Sequence, residues 1–511
     1  MPSGTTNYPN HGRTDQLRPL HTDAEVRPEG TRRDTRTTLV AIAGLLIVAS
    51  VLRLVQLGSQ PWLDEISALT GSIERPFAQI ATRWPGAASH IFYEILARAG
   101  MLAFGSPIGI RLPAALFGIA GVALIYAFAR HAFGQRQAFL IAGLLAVSYH
   151  HVFFSQSARG YTLLMALYLA TLLLLVEAQR RGKASGALWW SYALSGAFAA
   201  YSMPMGWFIL PGQGVVLIWY WWRARRVGPQ PLVPSRLIGA AITGGVLAAL
   251  LYAPFVPGML KFTRMNASTA SEGPRVGFAL LREVVDGLLV AFHGPIGLAL
   301  VLAFGLAGIW NWWRRHPSSL LFAFAPLALE AIGVVIAGIG IHPRYFAVAL
   351  PVLIVVAGLG LDAIIAFVTD RLPLPPRTRT GVVAGALSAA VLMSAWPLVS
   401  YYRYPKQDFL GAIAAVRGLR PECTVRVGIR TAGHVLGDYY HADYITVNTL
   451  DDLRAAEAQG GRVCIVTTLE GLLAIAEPEL IGYLHQHYRR VIVLPGTVGD
   501  AAMRIYEPAT T

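Results

Sequence analysis

The chain has 511 residues, of which 55% are hydrophobic and 14% are charged, and its mean hydropathy is +0.51. This composition excludes an ordinary water-soluble protein and indicates a chain that lies mostly within a bilayer. The formal net charge of +14 comes from short basic clusters between apolar runs. Such clusters set membrane topology, and the sequence predicts no nucleic-acid partner.

The apolar runs predict a polytopic α-helical membrane protein with about 11 to 13 transmembrane helices. Residues 1–37 show no apolar periodicity and predict a disordered cytoplasmic tail. The first apolar run, 39–57, is followed by no cleavage site and is therefore an anchor. Ten further runs complete a transmembrane domain over 38–400 and lie near 108–130, 137–154, 160–178, 187–202, 205–222, 237–256, 288–312, 318–340, 344–369 and 380–400.

The basic residues favour an orientation with the N terminus in the cytoplasm, as the positive-inside rule requires. The residues that then fall on the cytoplasmic side are Arg130, Arg136, Arg180, Arg181, Lys183, Arg223, Arg225, Arg226, Arg314, Arg315, Arg371, Arg377 and Arg379. The segments 58–107, 155–159, 257–283 and 342–344, and everything after 401, then lie outside the cell. The sequence thus predicts a multi-pass plasma-membrane protein whose candidate chemistry is extracytoplasmic.

Residues 401–511 alternate short apolar strands with amphipathic helices and predict a small extracytoplasmic α/β domain. Both cysteines of the chain, Cys423 and Cys464, lie in this domain. Two interpretations stay open for them, one disulfide or two separate core thiols. Because no Gly-rich fingerprint joins a strand to a helix, the sequence predicts no nucleotide cofactor.

The sharpest local signal is the acidic pair Asp64 and Glu65, which follows the first span. A carboxylate just outside the membrane is suited to accept the proton of a hydroxyl that attacks the anomeric carbon of a sugar. The alternative is structural, because acids are also favoured in the first turn of a helix by its dipole. The spacing by itself does not choose between the two.

Five segments follow one another along the predicted outer face: SQPWLDE at 59–65, SHIFY at 89–93, RLP at 111–113, FSQSARGY at 154–161 and HPRY at 342–345. In this order they resemble the landmarks of the GT-C-type membrane glycosyltransferases, which include the protein O-mannosyltransferases and the lipid A aminoarabinose transferases. A weaker likeness, YPKQD at 404–408, opens the terminal domain. The SHIFY segment departs from the His-Pro-Pro-Leu-Tyr common in related sequences.

The resemblance implies an inverting glycosyltransferase that takes a sugar from a polyprenyl-phosphate donor. The implied acceptor is an envelope glycan, a glycolipid or a protein. Asp64 is the implied general base, and Glu65 supports it, positions the acceptor or helps to hold a divalent cation. That cation is a candidate cofactor, with no other ligand assigned.

The leaving phosphate of such a donor needs a cation or a metal to stabilise its charge. Arg159 and Arg344 are the first candidates, because a guanidinium group fits phosphate oxygens in a bidentate manner. The further candidate substrate-binding residues are His90, Tyr161, Lys261, Arg264 and Tyr345. Their structural alternative is anchoring at the membrane interface, where basic and aromatic residues are enriched without any ligand.

Two other classes of function stay open on the sequence. One is a flippase or transporter that uses Glu330, an ionisable residue inside a predicted span. The other is a non-catalytic membrane scaffold that presents its terminal domain. Transporters often show paired halves with broken helices at matching positions, and no such pairing is evident in this sequence.

Overall fold

The computed structural model describes residues 32–84, 86, 89–181, 185–227, 234–266, 295–337 and 343–509. The chain divides into two units, Met1–Gly44 and Leu45–Thr511. The described part of the first unit is the start of one helix, and the site described below belongs to the second. That helix begins at Arg32, inside the predicted tail, and residues 1–31 lie outside the described residues.

The membrane part is built of helices, as predicted. In chain order they are α1 (Arg32–Leu54), α2 (Leu63–Ala68), α3 (Phe77–Ile80), α4 (Ile91–Phe104), α5 (Ile108–Ala132), α6 (Gln135–Val147), α7 (Tyr149–Ser155), α8 (Tyr161–Arg181), α9 (Gly186–Ser202), α10 (Ile209–Val227), α11 (Pro234–Tyr252), α12 (Val256–Asn266), α13 (Pro295–Arg315), α14 (Pro317–Ala337), α15 (Leu350–Thr369), α16 (Pro376–Ser394) and α17 (Pro397–Arg403). Each predicted span overlaps one of these helices, which confirms the polytopic helical class.

The number of spans depends on how strictly a span is defined. Among the described residues, seven helices are long and apolar enough to cross a membrane, or eight when the bent pair α6 and α7 counts as one span. Some of the other predicted spans are shorter, such as α9 with its 17 residues. A helix of this length crosses about 25 Å, close to the thickness of the hydrocarbon core.

The bend between α6 and α7 shapes the end of the membrane part at which the site lies. Ser148 has extended backbone angles there, and the two helices meet at 60°. A broken helix leaves carbonyl groups without partners. The buried guanidinium of Arg53 is a partner for two such carbonyls, because it donates to the carbonyl of Ala146 at 3.0 Å and to that of Leu145 at 3.3 Å. These bonds attach the C-terminal end of α6 to α1, and Arg53 Nη2 also lies 2.7 Å from Nδ1 of His151 on α7.

The outer segment after α1 contains a helix that the sequence had not distinguished from a loop. Helix α4 packs closely on α5, and the contact requires glycine on both sides. A Cβ atom added to Gly100 would lie 2.2 Å from the carbonyl oxygen of Gly109, and the reverse distance is also 2.2 Å. Small residues permit such close backbone approach between membrane helices.

The terminal part is a small α/β domain, as predicted. Its elements are α18 (Phe409–Gly418), β1 (Val425–Ile429), α19 (Thr431–His434), β2 (Ile445–Val447), α20 (Leu450–Glu457), β3 (Val463–Thr467), α21 (Glu470–Ala476), α22 (Pro478–His487), β4 (Tyr488–Leu494) and β5 (Met503–Pro508). The strand order is β2-β1-β3-β5-β4, with β2, β1 and β3 parallel and the β3–β5 and β5–β4 pairs antiparallel.

The two cysteines form a disulfide, which decides between the two interpretations left open by the sequence. Cys423 precedes β1 and Cys464 lies on β3, with their Cα atoms 5.7 Å apart. Both are buried in the same apolar cluster as Phe409 and Ile505. Disulfides persist in oxidising compartments, so this bond agrees with an extracytoplasmic domain.

Removing this disulfide is expected to destabilise the terminal domain. Its two cysteines are 41 residues apart in sequence, and a loop of this size corresponds to about 4 kcal/mol of unfolded-state entropy. The Cys423→Ala/Cys464→Ala variant should therefore unfold at a lower temperature than wild type and be cleaved faster by protease within 401–511. Non-reducing peptide mapping of the wild-type protein checks the bond itself, and free thiols at both positions would contradict the assignment.

Candidate active site

Asp64 lies in the first turn of α2, just beyond the end of α1. The helix begins at Leu63, and the Glu65 side chain accepts a hydrogen bond from the backbone N–H of Trp62 at 3.3 Å. This bond satisfies one of the free donors of the first turn. The Asp64 side chain is 19% exposed, and its Oδ2 lies 3.3 Å from Nη2 of Arg159. The fold thus brings together the predicted base and a predicted phosphate-binding residue, 95 positions apart in the chain.

The Glu65 side chain points away from Asp64 and forms a buried ion pair with Arg111. Arg111 of α5 donates from Nε to Oε1 at 2.8 Å and from Nη2 to Oε2 at 2.6 Å. The backbone N–H of Ala158 donates to Oε1 at 2.8 Å. Both members of the pair are fully buried. Burial by itself raises the pKa of Glu65, but Arg111 and Lys406 beside it lower that pKa to about 2.

This geometry bears on the three roles predicted for Glu65. Both carboxylate oxygens are occupied by donors, and the side chain does not reach the cavity described below. Glu65 is therefore placed to hold the Asp64 turn in position. Neither contact with an acceptor nor cation binding fits a carboxylate in this setting.

Arg111 also organises the turn that leads from α1 to α2. Its Nη1 donates to the carbonyls of Leu57 and Ser59, both at 2.8 Å, and its Nη2 donates to the carbonyl of Gln60 at 3.1 Å. Buried carbonyl groups need partners. One guanidinium group therefore satisfies the turn and the Glu65 carboxylate together.

Lys406, at the start of the terminal domain, adds a second buried cation. Its Nζ donates to the carbonyl of Gln156 at 2.5 Å and to Oγ of Ser157 at 2.9 Å, and lies 3.8 Å from Oε1 of Glu65. Burial lowers the pKa of the Lys406 ammonium to about 7, although Glu65 acts in the opposite direction. The residue joins the Arg159 loop to the Glu65 ion pair.

The next two residues bind the segment that carries Asp64. The Gln407 side chain accepts the backbone N–H of Leu63 at 2.8 Å, and Asp408 Oδ1 accepts Nε2 of Gln60 at 2.7 Å. Asp408 also caps α18 by accepting the backbone N–H of Gly411. The residues Lys406, Gln407 and Asp408, here called the KQD clamp, therefore attach the terminal domain directly to the Asp64 turn.

A cavity of about 840 Å³ lies between the membrane helices and the terminal domain. Its lining comprises Trp62, Leu63, Asp64, His150, Phe153, Phe154, Ser157, Tyr161, Phe346, Ala347, Leu350, Leu353, Gln407, Thr431, Leu469, Leu472, Val498 and Ala501. Leu353 lies on the spanning helix α15 and is 57% exposed. The cavity is lined mostly by apolar side chains, and Asp64 contributes an acidic group to its wall.

His90 and Tyr161 occupy different positions relative to this cavity. His90 is buried, its Nδ1 accepts the backbone N–H of Gly160 at 3.0 Å, and its ring centroid lies 5.1 Å from that of Tyr161. A Cβ atom at Gly160 would meet His90 Nδ1 at 3.0 Å, so the approach depends on glycine. His90 thus positions the loop that carries Arg159, whereas Tyr161 lines the cavity itself.

The other predicted site residues fall into two groups. Lys261 is exposed on α12 and does not line the large cavity, so the fold does not bring it to Asp64. The backbone of Arg264 belongs to α12, and that of Arg344 and Tyr345 to the 3₁₀ segment Pro343–Ala349. The side chains of these three residues lie outside the described part of the structure, as does His342.

The structure also assigns contacts to residues that the sequence left without roles. Arg111 and Lys406 lie within landmark segments, but neither was a candidate site residue. A basic residue at the start of an apolar helix, as at Arg111, is a usable signal, because a cation there needs a partner. Which carboxylate it pairs with depends on tertiary contacts between residues 46 positions apart in sequence.

No group of three or more His, Cys, Asp or Glu side chains that could hold a metal ion occurs among the described residues. Of these residue types, Asp64 and His150 face the large cavity. The predicted divalent cation therefore stays a prediction.

Comparisons with known proteins agree with this architecture. Residues 91–247 match the family model described as dolichyl-phosphate-mannose-protein mannosyltransferase. No curated protein sequence gives a significant match. The crystal structure of ArnT from Cupriavidus metallidurans in the apo state is similar with a TM-score of 0.51 and 18% identity, covering 93% of this chain and 98% of that one.

A second similar structure is the archaeal oligosaccharyltransferase AglB from Archaeoglobus fulgidus, in complex with an inhibitory peptide and a dolichol-phosphate. Its TM-score is 0.55 at 13% identity, and the match covers 94% of this chain and 75% of that one. Both neighbours belong to the GT-C superfamily. The chain has the GT-C fold, a multi-span membrane architecture with an appended terminal domain, which confirms the resemblance seen in the sequence landmarks.

Breaking the buried ion pair from one side is expected to destabilise the protein. Arg111→Met leaves the buried Glu65 carboxylate with Lys406, 3.8 Å away, as its nearby countercharge, and removing one partner of a buried pair costs about 3–5 kcal/mol. The thermal midpoint in detergent should fall strongly. The matched variant Arg111→Met/Glu65→Met removes both charges and should recover part of the loss. Equal midpoints for the single and double variants would show that the carbonyl contacts of Arg111 dominate instead.

Lys406 is expected to make stability depend on pH. Below about pH 7 the Lys406 side chain is protonated in both the folded and the unfolded protein, and the full free-energy cost of burying its charge is present. Between about 7 and its ordinary pKa of 10.5 the unfolded state binds more protons, so this contribution to stability rises with pH.

The thermal midpoint of wild type, relative to that of Lys406→Met, should therefore increase from about pH 6 to about pH 9. Groups that titrate in both proteins cancel in this comparison. A difference that is constant over the range would contradict the lowered pKa of Lys406.

Proposed function

We propose that the protein transfers a glycosyl group from a polyprenyl-phosphate-linked sugar to an extracytoplasmic hydroxyl acceptor, with inversion and with Asp64 as general base. The observation that carries the proposal is that Asp64, paired with Arg159, lines a cavity of about 840 Å³ whose other lining residues are mostly apolar. A soluble sugar donor has no need of an apolar wall. A lipid-linked donor needs apolar surface for its chain and polar groups for its sugar and phosphate.

The shape of the cavity supports this donor class. Its apolar wall includes Leu350 and Leu353 on α15 and the ring of Phe346 just before it. An isoprenoid chain that binds there gains free energy because apolar surface leaves water. Its atoms also make van der Waals contacts with these side chains. The description of the matching family model, which names a dolichyl-phosphate sugar, and the dolichol-phosphate in the AglB complex support the same class.

Asp64 and Arg159 divide the chemistry between them. The acceptor oxygen attacks the anomeric carbon, and its proton passes to the Asp64 carboxylate. The bond from the anomeric carbon to the phosphate oxygen breaks, and the electron pair stays on the phosphate. In this scheme the Arg159 guanidinium, which is 11% exposed and lies beside Asp64, stabilises that developing charge. A divalent cation at Asp64 would supply the same kind of stabilisation.

Glu65, Arg111 and the KQD clamp act as positioning groups in this scheme. They hold the Asp64 turn through the contacts described above and take no part in bond making or breaking. Such support matters because catalytic groups must be held within a fraction of an ångström of their working position.

The outer face of the plasma membrane is the proposed location of the site. Paired arginines close α8, α10 and α13 at their C-terminal ends, as the positive-inside rule requires of cytoplasmic helix ends. Arg225 and Arg226 lie 3.8 and 3.9 Å from the ring centroids of Trp221 and Trp222, an arrangement suited to an interface. The cavity and the disulfide-bonded domain lie toward the opposite ends of the membrane helices.

The flippase and scaffold alternatives receive no specific support. Glu330 is buried in α14 and does not line the large cavity. A scaffold has no use for an acid and an arginine that converge from α2 and from the loop before α8.

The Asp64→Asn variant tests the proposal. In nanodiscs with radiolabelled polyprenyl-phosphate sugars and extracted envelope acceptors, wild type should transfer label. Loss of the general base should lower the rate by about 10²- to 10⁴-fold. Glu74→Gln is the matched control, because Glu74 is an exposed acid in the same outer segment and should keep full activity. Undiminished transfer by a well-folded Asp64→Asn protein would remove Asp64 from the chemistry.

A further inference from the structure

Helix α21 of the terminal domain has an exposed apolar surface. Among the described residues of this domain, the large apolar side chains that are exposed are Leu410, Leu472, Ile475 and Val493. The two most exposed of them lie on α21, with Leu472 at 63% and Ile475 at 81%. Because they are three positions apart on one helix, they share a face. Exposed apolar side chains that form a continuous surface mark a contact site.

The rest of the outer side of α21 is also apolar. The exposed positions of this helix, none of which has a polar side chain, are Gly471, Leu472, Ala474, Ile475 and Ala476. Helix α20 of the same domain differs, because Asp451, Asp452 and Arg454 are exposed on it. A helix that faces water has charged or polar residues on its outer side. The outer side of α21 therefore has the composition of a helix that contacts an apolar medium.

Contacts with the rest of the domain fix which side of α21 faces outward. Glu470 Oε1 accepts the hydroxyl of Tyr506 at 2.8 Å, and the backbone N–H of Gly471 donates to Asp500 Oδ2 at 2.6 Å. The side chain of Leu473 is buried in the apolar core of the domain. These contacts turn the first residues of the helix and Leu473 toward the domain, so the exposed face described above points away from it.

The two acids that flank the apolar surface are both paired with arginines. Glu470 Oε2 lies 3.5 Å from Nε of Arg504, and Glu477 Oε1 accepts Nη1 of Arg430 at 2.6 Å. Moving an unpaired carboxylate from water toward an apolar medium is costly, whereas a paired and hydrogen-bonded one is tolerated. The charges beside α21 therefore do not oppose contact between this helix and lipid.

The large cavity relates this surface to the membrane part. Leu472 lines the cavity together with Leu350 and Leu353 of α15. The apolar span that contains these two leucines runs over Phe346–Thr369, so both lie near its first residue. Helix α21 therefore lies beside the end of a membrane span, and the apolar medium next to that end is the bilayer.

We propose that Leu472 and Ile475 insert into the bilayer leaflet on the side of the terminal domain, so that α21 docks this domain on the membrane. The partner is the hydrocarbon of the membrane lipids. The apolar face of an interfacial helix enters the boundary between headgroups and acyl chains in this way. The KQD clamp attaches the domain to the Asp64 turn, and α21 attaches it to lipid. The inference is independent of the transferase proposal, because docking requires no sugar donor or acceptor.

A spin label on α21 tests the inference. The two natural cysteines form a disulfide, so Ile475→Cys introduces one free thiol into the full-length chain. In phosphatidylcholine nanodiscs the label should collide often with oxygen, which concentrates in hydrocarbon, and rarely with a water-soluble nickel chelate. Ala455→Cys is the matched control, because Ala455 is exposed on the charged helix α20. The oxygen-to-nickel collision ratio should be severalfold higher at position 475 than at position 455.

Leu472→Cys repeats the measurement on the same face, and the thermal midpoint of each variant is compared with that of wild type to show that it is folded. Equal collision ratios at positions 475 and 455 would overturn the inference, because α21 would then face water. A label at position 475 that neither reagent reaches would also overturn it and would assign the surface to a protein partner, such as a second copy of this chain. Neither result depends on transfer activity, which is scored separately by the Asp64→Asn comparison.

Discussion

The buried pair of Glu65 and Arg111 is the interaction on which the site depends. A charge in the interior of a protein is tolerated only when it is paired and hydrogen-bonded. Arg111 meets that requirement for Glu65 and for three carbonyls of the α1–α2 turn at the same time. The turn therefore has one arrangement in which its polar groups are satisfied, and that arrangement directs Asp64 into the cavity. The position of Asp64, on which the catalytic proposal rests, therefore depends on its neighbour Glu65.

The terminal domain contributes to the same site and does not merely cover it. The KQD clamp binds the Asp64 turn, and Lys406 also binds the loop that carries Arg159. Leu469 and Thr431, which follow the parallel strands β3 and β1, form part of the cavity wall. The carboxyl edge of a parallel sheet is where α/β domains commonly present ligand-binding residues. Membrane helices and sheet thus share one cavity, which makes the domain an integral part of the site.

The sequence by itself determined the class of the protein, because long apolar runs and alternating basic clusters depend only on the bilayer. It also indicated the terminal α/β domain and named Asp64 and Arg159 as candidate site residues, since polar landmarks beside a membrane are few. The resemblance implied Asp64 as the general base, but it left three roles open for Glu65 and two interpretations open for the cysteines. Those answers required tertiary structure. Adjacent carboxylates have the same local chemistry, and Arg111 and Lys406, distant in sequence, decide which of them is buried in an ion pair and which faces the cavity.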